Sequence, residues 1–238
     1  RRWGSKNLKG QIREGKYRPK PVLRVEIPKD GGKTRNLGIP RVLDRMVQQA
    51  IAQVLSEIYE PEFREHSYGF RPNRGAHDAL RQSIANADEG LVWVVDMDLE
   101  RFFDTVNHSK LIQVLSERVK DGRVVSLVHK FLRAGVVVDG TYQKTEVGCP
   151  QGGNLSPILA NILLNECDWE LTRRGHRFVR YADDMVIFCG SRKAAERTLD
   201  STVRYLEKVL KLKVNREKTS VSEIGKIGFL GYGFYYNK

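Results

Sequence analysis

The chain has 238 residues, 40% of them hydrophobic, which is enough to bury a core in one compact unit with two lobes. Its 41 lysines and arginines outnumber its 29 aspartates and glutamates, and the formal net charge of +12 favours a nucleic acid partner over a basic surface that is merely solvated. The widely spaced cysteines indicate neither a disulfide framework nor a zinc site, and no apolar run reaches the roughly 18 residues of a membrane span.

The first third of the chain predicts a hairpin followed by two helices. Alternating polarity indicates the strands, glycine-rich turn formers separate them, and apolar residues at helical spacing indicate the helices. The predicted bounds are a strand over Val22–Pro28, a turn over Lys29–Lys33, a strand over Arg35–Ile39, a helix from Val42 closed by Pro61, and a helix over Ala76–Ala87.

A valine-rich strand is predicted over Leu91–Leu99. Period two places Val92, Val94, Asp96 and Asp98 on one face, and Trp93, Val95 and Met97 on the other. Because the second face is apolar throughout, we expect it to be the buried one.

The remaining two thirds of the chain alternate helices and strands, which predicts an α+β fold without internal repeats. Asp139-Gly140 is a favoured pair for a tight hairpin turn, and Ser156-Pro157 has the composition of a helix start. The predicted elements are helices over Ser109–Val119, Val124–Arg133 and Ile158–Arg173, two strands within Phe178–Cys189, a helix after Ser191, and a final strand pair over Lys213–Val221 and Ile227–Tyr235.

Three aspartates are the strongest candidates for chemistry: Asp98 ends one strand, and Asp183 and Asp184 stand at the tip of a hairpin. Carboxylates that converge repel one another, a cost that bound divalent cations remove, and oxygen-only ligands suit Mg²⁺. For an isolated Asp-Asp pair, the alternative is a simple turn, because aspartate tolerates the positive φ of tight hairpins.

The residues that flank these aspartates decide between a metal site and a simple turn. Phe178–Phe188 contains Tyr-Ala-Asp-Asp and resembles the YADD motif of reverse transcriptases, and Asp98–Asp104 resembles the first catalytic motif of that family. The resemblance implies an RNA-directed DNA polymerase with a right-hand fingers-and-palm fold, in which an antiparallel palm sheet packs on helices. It also implies that the three aspartates hold two Mg²⁺ ions. Asp96 and Asp104 are alternative candidates for the metal-binding aspartate of the first catalytic motif, and the spacing to Phe103 favours Asp98.

The same resemblance implies roles for residues that contact substrates. Glycine-rich Gly148–Pro157 resembles the motif that touches the nascent base pair, Lys33–Pro40 the fingers hairpin, Leu212–Thr219 a motif beside the leaving pyrophosphate, and Gly228–Tyr232 the primer-holding hairpin. The implied substrate contacts are Arg35 and, less strongly, Lys29 for the triphosphate, Phe103 against a ribose 2′-hydroxyl, Gln151 for the base pair and Lys218 for pyrophosphate, with Arg71, Gly152, Gly231 and Tyr232 contacting primer or template.

Three further segments narrow the resemblance to the bacterial group II intron maturases: Leu37–Ala50, Tyr68–Ala79 and Leu155–Ile162. Such a protein is expected in the bacterial cytoplasm, with intron RNA, an RNA template, a DNA primer and dNTPs as partners, and with roles in splicing and retromobility. An RNA-binding scaffold with little polymerase activity is the alternative from another class. A retron or diversity-generating reverse transcriptase is a third reading, which fits these segments less closely.

The predicted domain organisation follows the resemblance. Residues 1–90 are expected to form the fingers, 91–107 the first catalytic strand of the palm, 108–150 an insertion between fingers and palm, and 151–238 the palm with the primer-holding hairpin. We expect the sequence to lack the family's thumb, so that its grip on primer and template is poor. We also expect the apolar surface that a thumb would cover to allow a homodimer.

Overall fold

The structure is a computed structural model that describes residues 5–29 and 33–235. The predicted turn residues Asp30, Gly31 and Gly32 lie outside the described residues. The helices are α1 (Ser5–Arg13), α2 (Val42–Tyr59), α3 (Ala76–Asp88), α4 (Phe102–Thr105), α5 (His108–Arg118), α6 (Gly122–Leu132), α7 (Ser156–Arg173) and α8 (Arg192–Lys208). The strands are β1 (Val22–Lys29), β2 (Lys33–Ile39), β3 (Trp93–Met97), β4 (Val136–Val138), β5 (Thr141–Gln143), β6 (Arg177–Tyr181), β7 (Asp184–Cys189), β8 (Ser220–Glu223), β9 (Gly228–Phe229) and β10 (Tyr232–Gly233).

The chain forms two compact units. The first unit comprises Arg1–Val54 and Phe103–Ser156, and the second comprises Leu55–Phe102 and Pro157–Lys238. The predicted division into fingers and palm is a functional one and stays a prediction. Within the described part of the chain, no helix is long and apolar enough to cross a membrane.

The first unit contains a four-stranded sheet with the order β2-β1-β4-β5. The predicted hairpin of β1 and β2 is confirmed by antiparallel pairing from Leu23 opposite Ile39 onward, whereas β1 and β4 run parallel. The predicted turn at Asp139-Gly140 joins β4 to β5, and both residues have positive φ, 48° and 78°. These are the dihedral signs of a type I′ turn, which matches the twist of antiparallel strands.

The second unit is built on an antiparallel sheet with the order β6-β7-β3-β8. One face of the sheet packs on α3 in an apolar cluster that includes Val94, Val186 and Phe188. The opposite face packs on α8, as shown by the contact between Cys189 and Thr198. The expectation of one buried face on β3 is therefore only half right, because Val94 and Val95 point to opposite faces and both are fully buried.

The end of the chain differs from the prediction. The segment Lys213–Val221 does not pair with Ile227–Tyr235. Instead, β8 pairs with the edge of β3, and β9 pairs with β10 in a separate two-stranded hairpin. The free edge of β3 supplies hydrogen bonds to β8, while Leu230 and Gly231, at φ of 54° and 83°, turn the chain within the final segment. The helix α1 lies in the opening segment, for which no element was predicted.

Candidate active site

The candidate carboxylates lie at the ends of two adjacent strands in the second unit. In the antiparallel pairing of β3 with β7, Met97 lies opposite Met185, so Asp98 and Asp184 occupy the next register position. Both carboxylates, together with Asp96, line a cleft of about 430 Å³. The structure therefore brings together two of the three aspartates that the sequence predicts, with Asp183 directly preceding Asp184 in the turn.

Lys218 lies in the same cleft and faces the first aspartate. Its Nζ is 3.4 Å from Oδ2 of Asp98, and both side chains are partly exposed. The main chain of Asp98 is fixed from both sides, because its carbonyl accepts from the Asn215 amide at 2.9 Å and its amide donates to the Thr219 hydroxyl at 3.2 Å. The segment with Lys218 thus holds Asp98 in place.

The predicted primer-holding hairpin forms another wall of the cleft. Gly228, Phe229, Leu230 and Gly231 line it beside the carboxylates. Tyr232 is 53% exposed, and its ring contacts His77 at 6.3 Å between centroids. Gly231, at φ of 83°, adopts a backbone conformation that favours glycine, which explains why the turn needs it.

Asp96 adds a carboxylate that the prediction treated only as a competitor of Asp98. Burial raises the pKa of the Asp96 carboxyl, and the negative charge of Asp98 raises it further. Like charges so close destabilise each other unless a cation lies between them. The cleft is therefore an electrostatic environment in which a bound cation is stabilising.

The turn between β6 and β7 does not use aspartate for its unusual backbone. The positive φ, 58°, belongs to Ala182, while neither Asp183 nor Asp184 has a positive φ. An alanine in the left-handed region costs about 1–2 kcal/mol relative to ordinary backbone. The alternative that Asp183 and Asp184 are present because aspartate tolerates a positive φ is therefore wrong, since neither residue has one.

The donor set suits a hard divalent cation. The cleft offers carboxylate oxygens from Asp96, Asp98 and Asp184, and none of its described lining residues carries a thiol or an imidazole. Oxygen ligands are those that Mg²⁺ prefers. Within residues 5–29 and 33–235, however, no group of three or more acidic, histidine or cysteine side chains already stands at metal-binding separations. The predicted carboxylate triad is therefore not seen as a closed cluster, although the chemistry of its donors fits the ion.

The glycine-rich bend that carries Gln151 lies in the first unit. Gly38 of β2 donates its amide to the Gln151 carbonyl at 2.6 Å, and Gly152 has φ of 103°. A Cβ on Gly152 would stand 2.9 Å from the Gly38 carbonyl oxygen. The glycine is thus required by packing within the protein itself, a reason that the resemblance did not supply.

Phe103 is tied to the start of that bend. Its carbonyl accepts from the Cys149 amide at 2.6 Å, and the Gly148 carbonyl lies 2.6 Å from Nε2 of buried His108. Phe103 and Gln151 therefore belong to one hydrogen-bonded region of the first unit.

The remaining predicted contacts differ in how accessible they are. Arg35 lies on β2 and is exposed, whereas Lys29 ends β1 and its side chain lies outside the described part. Arg71 is buried, and its guanidinium donates to Glu60 and to the carbonyls of Arg64 and Ser67. Its predicted contact with primer or template is disfavoured by this burial.

A buried polar network beneath the Ala182 turn was missed by the sequence reasoning. Nε and Nη2 of Arg180 donate to Asp168 at 2.8 and 2.6 Å, Nη1 donates to Asn161 at 3.0 Å and to the Ala182 carbonyl at 2.8 Å, and Nη2 donates to the Ser67 hydroxyl at 2.7 Å. The Arg180 and Asp168 side chains are 1% and 0% exposed. The one signal in the sequence was a charged residue in the otherwise apolar core of β6.

An antiparallel sheet between helices, with carboxylates at adjacent strand ends, is the architecture of a template-directed polymerase palm. Telomerase from Candida tropicalis, solved with a TWJ fragment of telomeric RNA, shares this fold with a TM-score of 0.71 at 15% identity, over 97% of this chain and 47% of the telomerase chain. The sequence profile described as "Reverse transcriptase (RNA-dependent DNA polymerase)" matches residues 27–234. The chain belongs to the reverse transcriptase family, which confirms the predicted fold and enzyme class.

Curated relatives identify the branch of the family. Protein YkfC of Escherichia coli is 35% identical over 264 residues, which cover 95% of this chain and 69% of YkfC. The group II intron-encoded protein LtrA of Lactococcus lactis is 39% identical over 182 residues, covering 76% of this chain but only 30% of LtrA. These relatives confirm the predicted resemblance to the group II intron reverse transcriptases and maturases. Dependence on divalent metal and binding of RNA are general properties of this family.

Proposed function

We propose that the chain is the catalytic core that transfers a nucleotide from a dNTP to the 3′-hydroxyl of a DNA primer paired with an RNA template. The observation that carries this proposal is the arrangement of Asp98 and Asp184 at matching ends of adjacent strands, in one cleft with Lys218 and the Leu230–Gly231 turn. A polymerase needs palm carboxylates and a cationic side chain such as Lys218 to hold the reacting phosphates, and a backbone turn to hold the primer end.

In this proposal, Asp98, Asp183 and Asp184 hold two Mg²⁺ ions, which when bound would stabilise the attacking and departing oxygens of phosphoryl transfer. Lys218 neutralises charge on the leaving pyrophosphate, an assignment supported by its position 3.4 Å from Asp98. Its flexible ammonium can exchange the carboxylate for a phosphate without a change of backbone.

The other assignments follow the family resemblance residue by residue. Exposed Arg35, with Lys29, contacts the triphosphate, Phe103 excludes the 2′-hydroxyl of a ribonucleotide, Gln151 and Gly152 contact the nascent pair, and Gly231 and Tyr232 hold the primer. The predicted fingers, insertion and palm ranges are retained in this proposal. Arg71 is retained only as a support of the Ser67 loop, because its donors are used inside the protein.

We further propose that the parent protein binds group II intron RNA and takes part in splicing and retromobility. The similarity to LtrA, a group II intron-encoded protein, and the net charge of +12 support this assignment. The homodimer and the bacterial cytoplasmic setting stay predictions. Sedimentation that shows only monomer at high protein concentration would remove the homodimer.

The proposal is tested by Mg²⁺-dependent extension of a DNA primer on an RNA template. We expect the Asp183→Ala, Asp184→Ala double variant to lose extension by about a thousandfold or more, since metal binding supplies several kcal/mol of transition-state stabilisation. Asp200→Ala is the matched control, because it removes an exposed aspartate from α8 and should leave extension unchanged.

A second outcome would favour the scaffold function. If neither the wild type nor the double variant extends primers, yet both bind structured RNA with equal and salt-sensitive affinity, the chain acts as an RNA-binding scaffold rather than as a polymerase. Extension by the double variant at the wild-type rate would contradict the assignment of Asp183 and Asp184.

A further inference from the structure

The buried network around Arg180 makes direct contact with the backbone of the carboxylate turn. Of the groups that receive a hydrogen bond from this guanidinium, one is the carbonyl of Ala182, at 2.8 Å. Ala182 immediately precedes Asp183 and carries the positive φ of the turn. A bond to this carbonyl therefore fixes the peptide plane from which the Asp183 side chain projects.

The network is completely satisfied, as a buried charge requires. Every N–H of the guanidinium has an acceptor in Asp168, Asn161, Ala182 or Ser67. The negative charge of Asp168 balances Arg180, so the pair adds no net charge beneath the catalytic carboxylates. A buried ion pair is a weak source of stability, because the cost of removing two charges from water offsets much of their attraction.

A second contact holds the same turn from the Ser67–Gly69 loop. The Tyr68 amide donates to the Arg180 carbonyl at 2.8 Å, and the Asn161 side chain donates to the Gly69 carbonyl at 2.9 Å. A Cβ on Gly69 would stand 2.3 Å from the Ala182 nitrogen, so only glycine permits this approach. Loop, arginine and turn are thus packed as one rigid support.

We propose that Arg180 and Asp168 are positioning residues that lock the Ala182 turn and so present Asp183 for metal binding. The proposal rests on the proposed function, because it assigns Asp183 as a metal ligand. Neither Arg180 nor Asp168 touches the substrate. Both act through the peptide of Ala182, in the way that groups behind a metal ligand orient it.

The geometry explains why the residue is arginine. Its planar fork reaches Asp168 on one side and the Ala182 carbonyl on the other, whereas the single ammonium of lysine cannot bond Asp168, Asn161, Ala182 and Ser67 together. Arg180→Lys therefore keeps the buried charge paired but releases the turn.

The test compares Arg180→Lys with Ala182→Gly in the full chain. Ala182→Gly keeps the side-chain network, but it lets residue 182 adopt many backbone conformations, so the Arg180 bond to its carbonyl no longer fixes the turn. It therefore keeps the test valid if Arg180→Lys fails to fold. Primer extension gives kcat and the KM for dNTP, electron paramagnetic resonance gives the Kd for Mn²⁺ without nucleic acid, and urea unfolding reports folding. Arg192→Lys is the matched control, since it makes the same change in an exposed ion pair with Glu196.

For Arg180→Lys, we expect kcat to fall and the Kd for Mn²⁺ to rise, each by about 10–100-fold, with little change in KM. Ala182→Gly should likewise lower kcat and raise the Kd for Mn²⁺, with no loss in unfolding midpoint. Arg192→Lys should change neither kcat nor this Kd. If the wild type extends primers and binds Mn²⁺, and both variants have its kcat and its Kd for Mn²⁺, the positioning role is wrong while the proposed function stands. A wild type that neither extends primers nor binds Mn²⁺ overturns the proposed function together with it.

Discussion

Two segments that carry candidate site residues, one in each unit, are held by opposite means. In the second unit, the turn at Ala182 is supported by charged side chains, with Arg180 and Asp168 almost fully buried. In the first unit, the bend that carries Gln151 is held mainly by backbone hydrogen bonds, which the amides of Gly38, Gly148 and Cys149 donate. Among the residues that the structure describes, the one buried ionisable ring that contacts the bend is that of His108, at the Gly148 carbonyl.

The difference teaches which parts of a site tolerate substitution. A charged network concentrates a large interaction in one pair, and removal of either partner leaves an uncompensated buried charge. Backbone bonds survive most side-chain changes, so the bend depends instead on glycines that permit its path. We therefore expect the turn to be broken by removal of a charge and the bend by addition of a methyl group.

The largest effect is expected from the charged support of the turn. Asp168→Ala should lower the free energy of unfolding by about 3–5 kcal/mol, because Arg180 then keeps a buried charge without its partner. Urea unfolding followed by circular dichroism measures this change.

The control for that variant removes a surface ion pair from the same unit. Glu196→Ala deletes the partner of Arg192, and because both side chains are more than half exposed the loss should be about 0–1 kcal/mol. Equal losses in the two variants would show that burial gives the Arg180 pair no special weight, and the comparison between turn and bend would fail.

The same comparison shows which parts of the site the sequence predicted. The bend was predicted, because glycines and Ser-Pro are local signals that act on their own backbone. The network under the turn was not, since Arg180 meets Asp168, Asn161 and Ser67 across separations of 12, 19 and 113 residues. Arg180 stood out only as a charge within an apolar strand, and nothing local named its partners.

The fold shows the same limit. Element bounds followed from periodicity and turn chemistry, so β1, α2, α3 and the β6–β7 hairpin were predicted closely. The pairing of β8 with β3 was not predicted, because pairing depends on which strand edge is left free in the assembled sheet. Likewise, period two separated the faces of β3 but did not show that helices cover both.

The next largest effect is expected from a methyl group in the bend. Gly148 has φ of 90°, and a Cβ there would stand 2.9 Å from the Asp104 carbonyl oxygen. Gly148→Ala should therefore cost about 1–3 kcal/mol of unfolding free energy, from backbone strain and overpacking together. Urea unfolding again gives the value.

The matched control is Gly10→Ala in α1 of the same unit, where a Cβ would meet nothing within 4 Å. Because alanine favours a helix over glycine, this variant should be stabilised by about 0.5–1 kcal/mol. If Gly148→Ala is as stable as the wild type, then the bend does not depend on glycine at this position, and the contrast with the turn loses its basis.

The smallest effect concerns the single ionisable ring of the bend. Burial lowers the pKa of His108 below its usual value, the nearby His129 and Arg133 lower it further, and the Gly148 carbonyl opposes the shift. Because the unfolded chain then binds the proton more readily, the stability from neutral His108 is fully present above about pH 6.5 and is lost as pH falls through the lower folded pKa. We expect the unfolding free energy to fall with acidification by at most about 1.4 kcal/mol per pH unit for this proton.

His108→Asn removes the titration while keeping a side-chain donor, so its unfolding free energy should fall less steeply between about pH 6.5 and 5 than that of the wild type. His66 and His176, whose pKa values burial also lowers, contribute to the slope that remains. The measurement is urea unfolding at a series of pH values. An unchanged slope in His108→Asn would mean that acid acts through the second unit, where His66 and His176 lie.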